Sequence, residues 1–202
     1  NMVDLRKRGE IRGKLRRVSV GIAGLGGLGS NAAVSLARAG VGKLVLVDFD
    51  KVEENNLDRQ YYFRHQIGKF KVDALAENIR SIDPSVEIDG FNLRLERGFM
   101  EKPFNDVDVV VEALDDAEIK AAFIEEILSK LPGKPLVAAS GVAGYGSSDN
   151  IKTLRLGNLF LCYDEHAPSS EESVLIAPRV ALIANWEANL VLEIVLNGWL
   201  SD

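Results

Sequence analysis

Cys162 is the single cysteine among 202 residues. Neither a disulfide framework nor a Cys-x-x-Cys zinc site can form within this chain. No zinc is therefore expected, and a reducing, cytoplasmic setting fits. Histidine is almost as scarce. His65 and His166 have no metal-ligand neighbour at useful spacing, and both read as surface or loop residues. Long uncharged apolar runs are missing too. The most apolar stretch, 180–196, carries Asn185, Glu187, Asn189 and Glu193, which suits a buried or interface helix and argues against a membrane span. No basic-then-apolar leader is visible, so no export signal is expected. Positive charge is not in excess: the formal net charge is −6, and a nucleic-acid-binding surface is not expected. Basic residues do gather in segment 1–17, at Arg6, Lys7, Arg8, Arg12, Lys14, Arg16 and Arg17. They read as a solvated helical face, or as a source of an arginine that reaches a phosphate in a partner subunit. The length suits one α/β domain over 1–202.

What is present is glycine in one place. Gly24-Leu25-Gly26-Gly27-Leu28-Gly29 follows the apolar run Val18–Ala23 and precedes the helix-like Asn31–Ala39. A strand, a glycine turn and a helix together aim free backbone N–H groups at an anion, helped by the helix dipole. Asp48 ends the next apolar run, 19 residues past Gly29, where a carboxylate can accept hydrogen bonds from ribose hydroxyls. The combination marks a nucleotide site without saying which nucleotide.

Along the chain, strands and helices alternate. Strands are expected near 18–23, 43–48, 86–92, 107–112 and 135–139, and helices near 28–39, 71–82 and 117–130. This order predicts an α/β fold with a Rossmann-like, mostly parallel sheet covered by helices on both faces. Asp83-Pro84 stops the second of these helices. The pattern then changes. Gly141 to Gly146 is a glycine-rich bend. Ile151–Leu156 and Leu159–Tyr163 read as two short antiparallel strands joined at Gly157-Asn158. Segment 164–176 reads as a mobile surface loop, and Pro178 opens the last helix.

Beyond Asp48 lie further polar groups. Asp50, Asn56, Arg59 and Lys71 follow the C-terminal end of a parallel strand, the edge where ligands gather in open α/β sheets. An amide, a guanidinium fork and a point charge suit a ligand with several phosphates. Arg59 and Lys71 could instead pair with nearby acids. After the fourth strand come Asp115 and Asp116. Mg²⁺ is held by one or two carboxylates together with phosphate oxygens and water, and Asp115 fits that role. Either aspartate could also cap the helix starting at Ala117.

The stretches Gly24–Asn31, Asp48–Asp50, Asn56–Gln60, Ile67–Lys71 and Asp115-Asp116 resemble the ThiF/MoeB/HesA adenylyltransferases, relatives of ubiquitin-activating enzymes. The resemblance runs from about Arg16 to Asp116 and continues more loosely through 138–146 to the final helix. The compact length and the 138–146 motif are most similar to the short ThiF branch, which acts on the thiamine sulfur carrier protein. The resemblance implies that Gly24, Gly26, Gly27, Gly29 and Asp48 hold the adenosine of ATP, with Asp50 and Asp116 beside them. It implies that Asn56, Arg59 and Lys71 contact the phosphates, that Asp115 serves Mg²⁺, and that Arg59, Lys71 and Asp115 carry the catalysis. In the family an N-terminal arginine of a partner protomer completes the site, and here Arg6 or Arg8 is available. The paired zinc ligands of longer members are absent and the acceptor-cysteine region is shortened, so a covalent carrier thioester is not expected. Cys162 reads as a buried thiol at a strand end.

The expected reaction is adenylation of the C-terminal glycine carboxylate of a small ubiquitin-like sulfur carrier protein ending in Gly-Gly. Segments 141–149 and 164–176 are the expected walls of the channel for its tail. Two alternatives stay open: an NAD-dependent oxidoreductase, from the same glycine fingerprint, and a nucleotide-binding protein that docks a carrier without catalysis. The last helix is apolar nearly all round, so a homodimer is expected, unless that helix is buried within its own domain.

Overall fold

The computed structural model describes residues 2–168 and 173–198. Helix α1 (Met2–Leu15) leads into β1 (Ser19–Ala23), α2 (Gly27–Ala39) and β2 (Lys43–Asp48). After a segment with short 3₁₀ turns come α3 (Lys71–Ile82), β3 (Glu87–Asn92), β4 (Val109–Glu112), α4 (Ala117–Lys130) and β5 (Leu136–Ser140). The hairpin β6 (Lys152–Leu156) and β7 (Leu159–Tyr163) precedes α5 (Ala177–Leu196). The strands form one seven-stranded sheet in the order β3-β2-β1-β4-β5-β7-β6. Every neighbouring pair is parallel except β6 with β7. The chain winds outward from β1 in both directions, so β1 and β4 flank the point where the strand order reverses. Ligands of such sheets bind outside the strand C-termini at that point.

The central strands β1, β2, β4 and β5 have two buried faces, which is why these runs are apolar without alternation, whereas the edge strands β3 and β6 are largely exposed. On one face Val20, Ile22, Leu44, Leu46, Val109, Val111 and Val137 pack under α2, α3 and α5. On the other, Val45, Val47, Val110 and Leu136 meet α4 and the segment around Met100 and Phe104. Punctuating residues set the helix ends. Gly40 closes α2 in the left-handed region, its N–H reaching Ala37 O and Leu36 O, an arrangement that glycine adopts without steric cost. Asp83 ends α3 ahead of Pro84.

The structure differs from the sequence reading at several strand starts: β3, β5 and β6 each begin one residue later than expected. β1 and β4 begin at Ser19 and Val109, one and two residues later than expected. The Asp108 carboxylate takes the Ser19 N–H at 2.7 Å and the Ser19 hydroxyl at 2.9 Å, so a side chain works beside the backbone bond from Asp108 N to Ser19 O at 2.9 Å where the two strands first meet. The hairpin is no separate element: β7 joins the sheet parallel to β5. In the expected loop 164–176, residues 169–172 lie outside the described residues, while Asp164 is buried.

α5 uses most of its apolar surface inside the chain. Val180, Ile183, Ala184, Leu190, Val191 and Ile194 are buried in the core that α2 shares. By contrast α1 stands out from the body, with residues 4–14 exposed and Leu15 buried at its base. No helix among the described residues is long and apolar enough to cross a membrane.

Candidate nucleotide site

The C-terminal ends of β1, β2 and β4 carry three connected features. The first is the turn after β1. Gly24 has φ +88°, and a Cβ there would sit 2.6 Å from Ala113 O on the segment leaving β4. Only glycine accommodates both the backbone conformation and that approach. A Cβ on Gly29 would overlap the carbonyl of Gly24, so this position sets how closely α2 packs on the turn. Gly26 is different: the nearest group to a Cβ there is Gln60 Nε2 at 3.7 Å, which leaves open space above the main chain. The first intrahelical bond of α2 runs from Ser30 N to Gly26 O at 3.0 Å. The N–H groups of Gly27, Leu28 and Gly29 precede it, and such groups favour an anion.

The second feature is the end of β2. Asp48 Oδ2 accepts the Leu25 N–H at 2.7 Å and Oδ1 accepts the Asp50 N–H at 2.8 Å. Asp50 Oδ2 in turn lies 3.0 Å from Lys71 Nζ, and the Lys71 N–H reaches Asp50 O at 2.9 Å. Lys71 thus opens α3 with its side chain 7% exposed and its ammonium against a carboxylate that is 45% exposed. Tyr62 Oη donates to Leu25 O at 2.7 Å. Burial, then the charges of Asp48 and Asp50, push the Tyr62 phenol well above its ordinary value, so it stays a neutral donor. Acid, glycine turn, tyrosine and lysine form one hydrogen-bonded unit.

Arg59 lies over this turn. Its Cγ is 3.9 Å from where a Gly27 Cβ would stand. Asn31 Nδ2 holds the two segments together by donating to Gly27 O at 2.7 Å and Arg59 O at 3.0 Å. The guanidinium donates to Asn55 O at 2.9 Å and to Asp58 at 2.7 Å. Pairing with a neighbouring acid, anticipated as the plain reading for Arg59 and Lys71, is present for both. Asn56 is not the free donor expected. It is buried, its Oδ1 caps the Glu53 N–H at 2.9 Å, and its Nδ2 donates to Asn55 Oδ1 at 3.1 Å. Both groups are local, so the amide shapes the loop that carries Arg59.

The third feature follows β4. Asp116 caps α4, its Oδ1 accepting the N–H groups of Glu118 and Ile119, each at 2.9 Å. Asp115 is exposed, and no hydrogen bond or ion pair engages its carboxylate among the described residues. The two adjacent acids therefore divide, one as the cap and one as an open carboxylate beside the turn. No group of three or more His, Cys, Asp or Glu side chains placed to hold a metal occurs among the described residues. A single carboxylate fits a Mg²⁺ ion that takes its remaining ligands from phosphate and water.

Several buried charges escaped the sequence reading. Glu112, at the end of β4, accepts the Leu114 N–H at 2.7 Å and has Lys120 Nζ 2.9 Å from its other oxygen. Burial raises its pKa while Lys120 opposes the rise. Glu187 on α5 is fully buried, and neither carboxylate oxygen has a hydrogen-bond partner among the described residues. Burial and the charge of Glu112 hold it well above the usual carboxylate range. Burial, then Glu187, pushes the Cys162 thiol up to about 12. Arg179 and Asp164 form a buried pair at 2.5 Å. An acid within an apolar helix was visible at Glu187, as at Glu193, but nothing in the sequence named its neighbours.

Known proteins resemble the chain in sequence or in fold. The adenylyltransferase and sulfurtransferase uba4 of Aspergillus clavatus is 40% identical over 134 residues, 66% of this chain and 27% of that protein. The ubiquitin-like modifier-activating enzyme 5 of Bombyx mori is 37% identical over 120 residues, 54% of this chain and 30% of that protein. The chain thus spans less than a third of the length of these curated relatives. The fold matches E. coli tRNA N6-threonylcarbamoyladenosine dehydratase, TcdA, solved with ATP. The TM-score is 0.85 at 20% identity, over 94% of this chain and 90% of that one. It also matches E. coli MccB solved with ATP, with a TM-score of 0.72 at 20% identity, over 95% of this chain and 59% of that one. Residues 4–199 match the sequence profile of the ThiF family, and the chain belongs to that family.

Proposed function

We propose that the chain, as a single domain over 1–202, adenylates the C-terminal glycine carboxylate of a small ubiquitin-like sulfur carrier protein, a ThiS-like carrier of thiamine thiazole synthesis being favoured. The observation that carries this reading is the unit in which Asp48 grips the glycine turn through Leu25 and, through Asp50, meets Lys71. It gathers main-chain donors, a ribose-type acid and a cation at one sheet edge. The names of the curated relatives, an adenylyltransferase and a ubiquitin-like modifier-activating enzyme, support the same chemistry, as do the ATP complexes of the structural neighbours.

In the reaction a carboxylate oxygen of the tail attacks the α-phosphorus of ATP. The bond from that phosphorus to the bridging oxygen breaks, and the products are acyl-adenylate and pyrophosphate. A carboxylate is already ionised at neutral pH, so no general base is needed, and catalysis consists of positioning and charge neutralisation. The glycine turn and Asp48 orient the nucleoside, with Asp50 and Asp116 shaping the rim. Lys71 and Arg59 face the phosphates. Arg59 reaches them by leaving Asp58, whose side chain is 66% exposed, and an exposed pair of this kind contributes only about 0–1 kcal/mol. Asp115 would hold Mg²⁺, which supplies charge neutralisation at the phosphates when bound.

The dimer belongs to the same proposal. α1 presents Arg6 and Arg8, with Leu5 and Ile11 exposed at 68% and 44%. A basic helix whose residues 4–14 are exposed among the described residues suits a partner protomer whose triphosphate site it completes.

Two measurements test the reading. Mg·ATP should raise the melting temperature where NAD⁺ does not. Labelled pyrophosphate should enter ATP only when a Gly-Gly-ended carrier is added. Stabilisation by NAD⁺ alone would favour a dehydrogenase, and ATP binding without exchange would favour a docking protein. Net charge of −6 favours a protein tail over a tRNA as the carboxylate donor.

A further inference from the structure

One side chain holds the segment after β5 to the segment after β7. Arg179, in the first turn of α5, is 5% exposed. Its Nη2 donates to Asp164 Oδ2 at 2.5 Å and to Gly141 O at 3.1 Å, while Nη1 donates to Gly146 O at 3.1 Å. Asp164 Oδ1 accepts the His166 N–H at 2.9 Å. Burial alone would raise the Asp164 pKa, but His166 and Arg179 outweigh it and keep the carboxyl below its usual range. Further along, Gly144 N donates to Val174 O at 3.0 Å and Gly144 pairs with Leu175. The two segments form a clasp. On its other side the same turn of α5 meets the nucleotide turn: a Cβ on Gly27 would stand 2.7 Å from Val180 Cγ1.

A buried ion pair is a weak source of net stability because both charges must be desolvated. A planar guanidinium does supply fixed directions, and here they set two loops in register at the rim that carries the glycine turn. The outer surface of the clasp leaves Tyr145, Val174 and Leu175 exposed at 83%, 68% and 37%. These apolar groups follow the C-terminal ends of β5 and β7, at the same sheet edge as the glycine turn after β1.

We propose that Arg179 is a positioning residue for the tail: it fixes the clasp, and Tyr145, Val174 and Leu175 receive the extended segment that ends in Gly-Gly. This rests on the adenylation reading. Arg179 acts on the clasp alone, whereas its neighbour Val180 touches the nucleotide turn, so tail and nucleotide dependence separate.

The test is ATP–pyrophosphate exchange with a ThiS-type carrier ending in Gly-Gly, varying carrier and ATP in turn. The double variant Arg179→Ala with Asp164→Ala leaves neither charge buried alone, and Tyr145→Ala alters an exposed side chain only. The expected result is a tenfold or greater rise in half-saturating carrier for both, with half-saturating ATP changed less than twofold. Arg179→Lys, which keeps the charge and loses the fork, should fall between. Unchanged carrier dependence in Tyr145→Ala and in the folded double variant overturns the proposal, as does an equal rise for ATP. If the double variant does not fold, Tyr145→Ala decides. A wild type that exchanges with no Gly-Gly carrier overturns the adenylation reading and this one together. Wild-type exchange with unaltered variants overturns this one alone.

Discussion

The Leu25 N–H and the Asp48 carboxylate meet at 2.7 Å across 23 positions of chain. This bond makes Asp48 a part of the glycine turn, beside the ribose-acceptor role proposed for it. A carboxylate has about four lone-pair sites, and the N–H groups of Leu25 and Asp50 leave others for a ligand. Asp48→Ala would strand both N–H groups at a cost of about 1–3 kcal/mol for each one left buried and unpaired. Urea unfolding should show a loss of about 2–3 kcal/mol, and Mg·ATP should no longer raise the melting temperature. A variant that loses stability yet keeps the full ATP shift would confine Asp48 to a structural role.

The glycines of the turn should separate in the same assay. Gly29→Ala places a methyl group on the Gly24 carbonyl and should destabilise the apo-protein by about 3 kcal/mol or more, as overpacking does at its severe end. Gly26→Ala meets nothing closer than Gln60 Nε2 at 3.7 Å and should cost about 1 kcal/mol or less. It should nonetheless weaken ATP binding at least tenfold, because its methyl group occupies the space a phosphate would use. Equal ATP affinity in Gly26→Ala would move the phosphates away from this turn.

Asp115 and Asp116 allow a cleaner separation. Asp116→Ala removes an N-cap that serves two N–H groups and should cost about 0.5–2 kcal/mol while pyrophosphate exchange stays within threefold. Asp115→Ala breaks no bond within the protein and should leave stability within about 0.5 kcal/mol. Its exchange rate should fall a hundredfold or more, with the Mg²⁺ requirement shifted upward. The opposite pattern would exchange the roles of the two residues.

How far the chain was legible follows from where its signals lie. Gly40, Pro84 and Asp116 are punctuation that acts on adjacent residues, so the ends of α2, α3 and α4 could be read directly. The starts of β1 and β4 could not, because Asp108 meets Ser19 across 89 positions. At the site, residue types were readable and their partners were not. Asn56 is the plain case: its amide turns to Glu53, three residues back, and chemistry alone does not say whether an amide faces a loop or a ligand. Arg179 and Glu187 lay in a helix read for its apolar character. What buries them is the packing of α5 on the sheet, a property of the assembled fold.

Cys162 should be inert. It is buried within β7, and its thiol is pushed up to about 12, chiefly by burial. Since the thiolate is the reactive form, iodoacetamide at pH 8 should leave the native protein unlabelled and label it in urea. Cys162→Ala should exchange pyrophosphate within twofold of wild type. Rapid native labelling, or lost exchange in the variant, would return this thiol to the chemistry.

Glu187 predicts a specific dependence of stability on pH. Burial, reinforced by Glu112 and opposed by Lys120, raises its pKa well above 4.5 on folding. The folded state then keeps a proton that the unfolded chain has already lost. The resulting stabilisation is full below about pH 4.5 and declines as pH rises toward the folded value, at about 1.4 kcal/mol per pH unit. Glu187→Gln stays neutral throughout and removes this slope. In urea titrations the variant should match wild type near pH 4 and exceed it increasingly from pH 5 upward, until the folded carboxyl itself ionises. Because Glu112 and Lys120 face the same buried region, their own titration remains in both proteins, and only the difference between the two curves reports Glu187. Parallel curves from pH 4 to pH 8 would show that Glu187 is ionised in the folded protein, with a cation or solvent reaching its two oxygens.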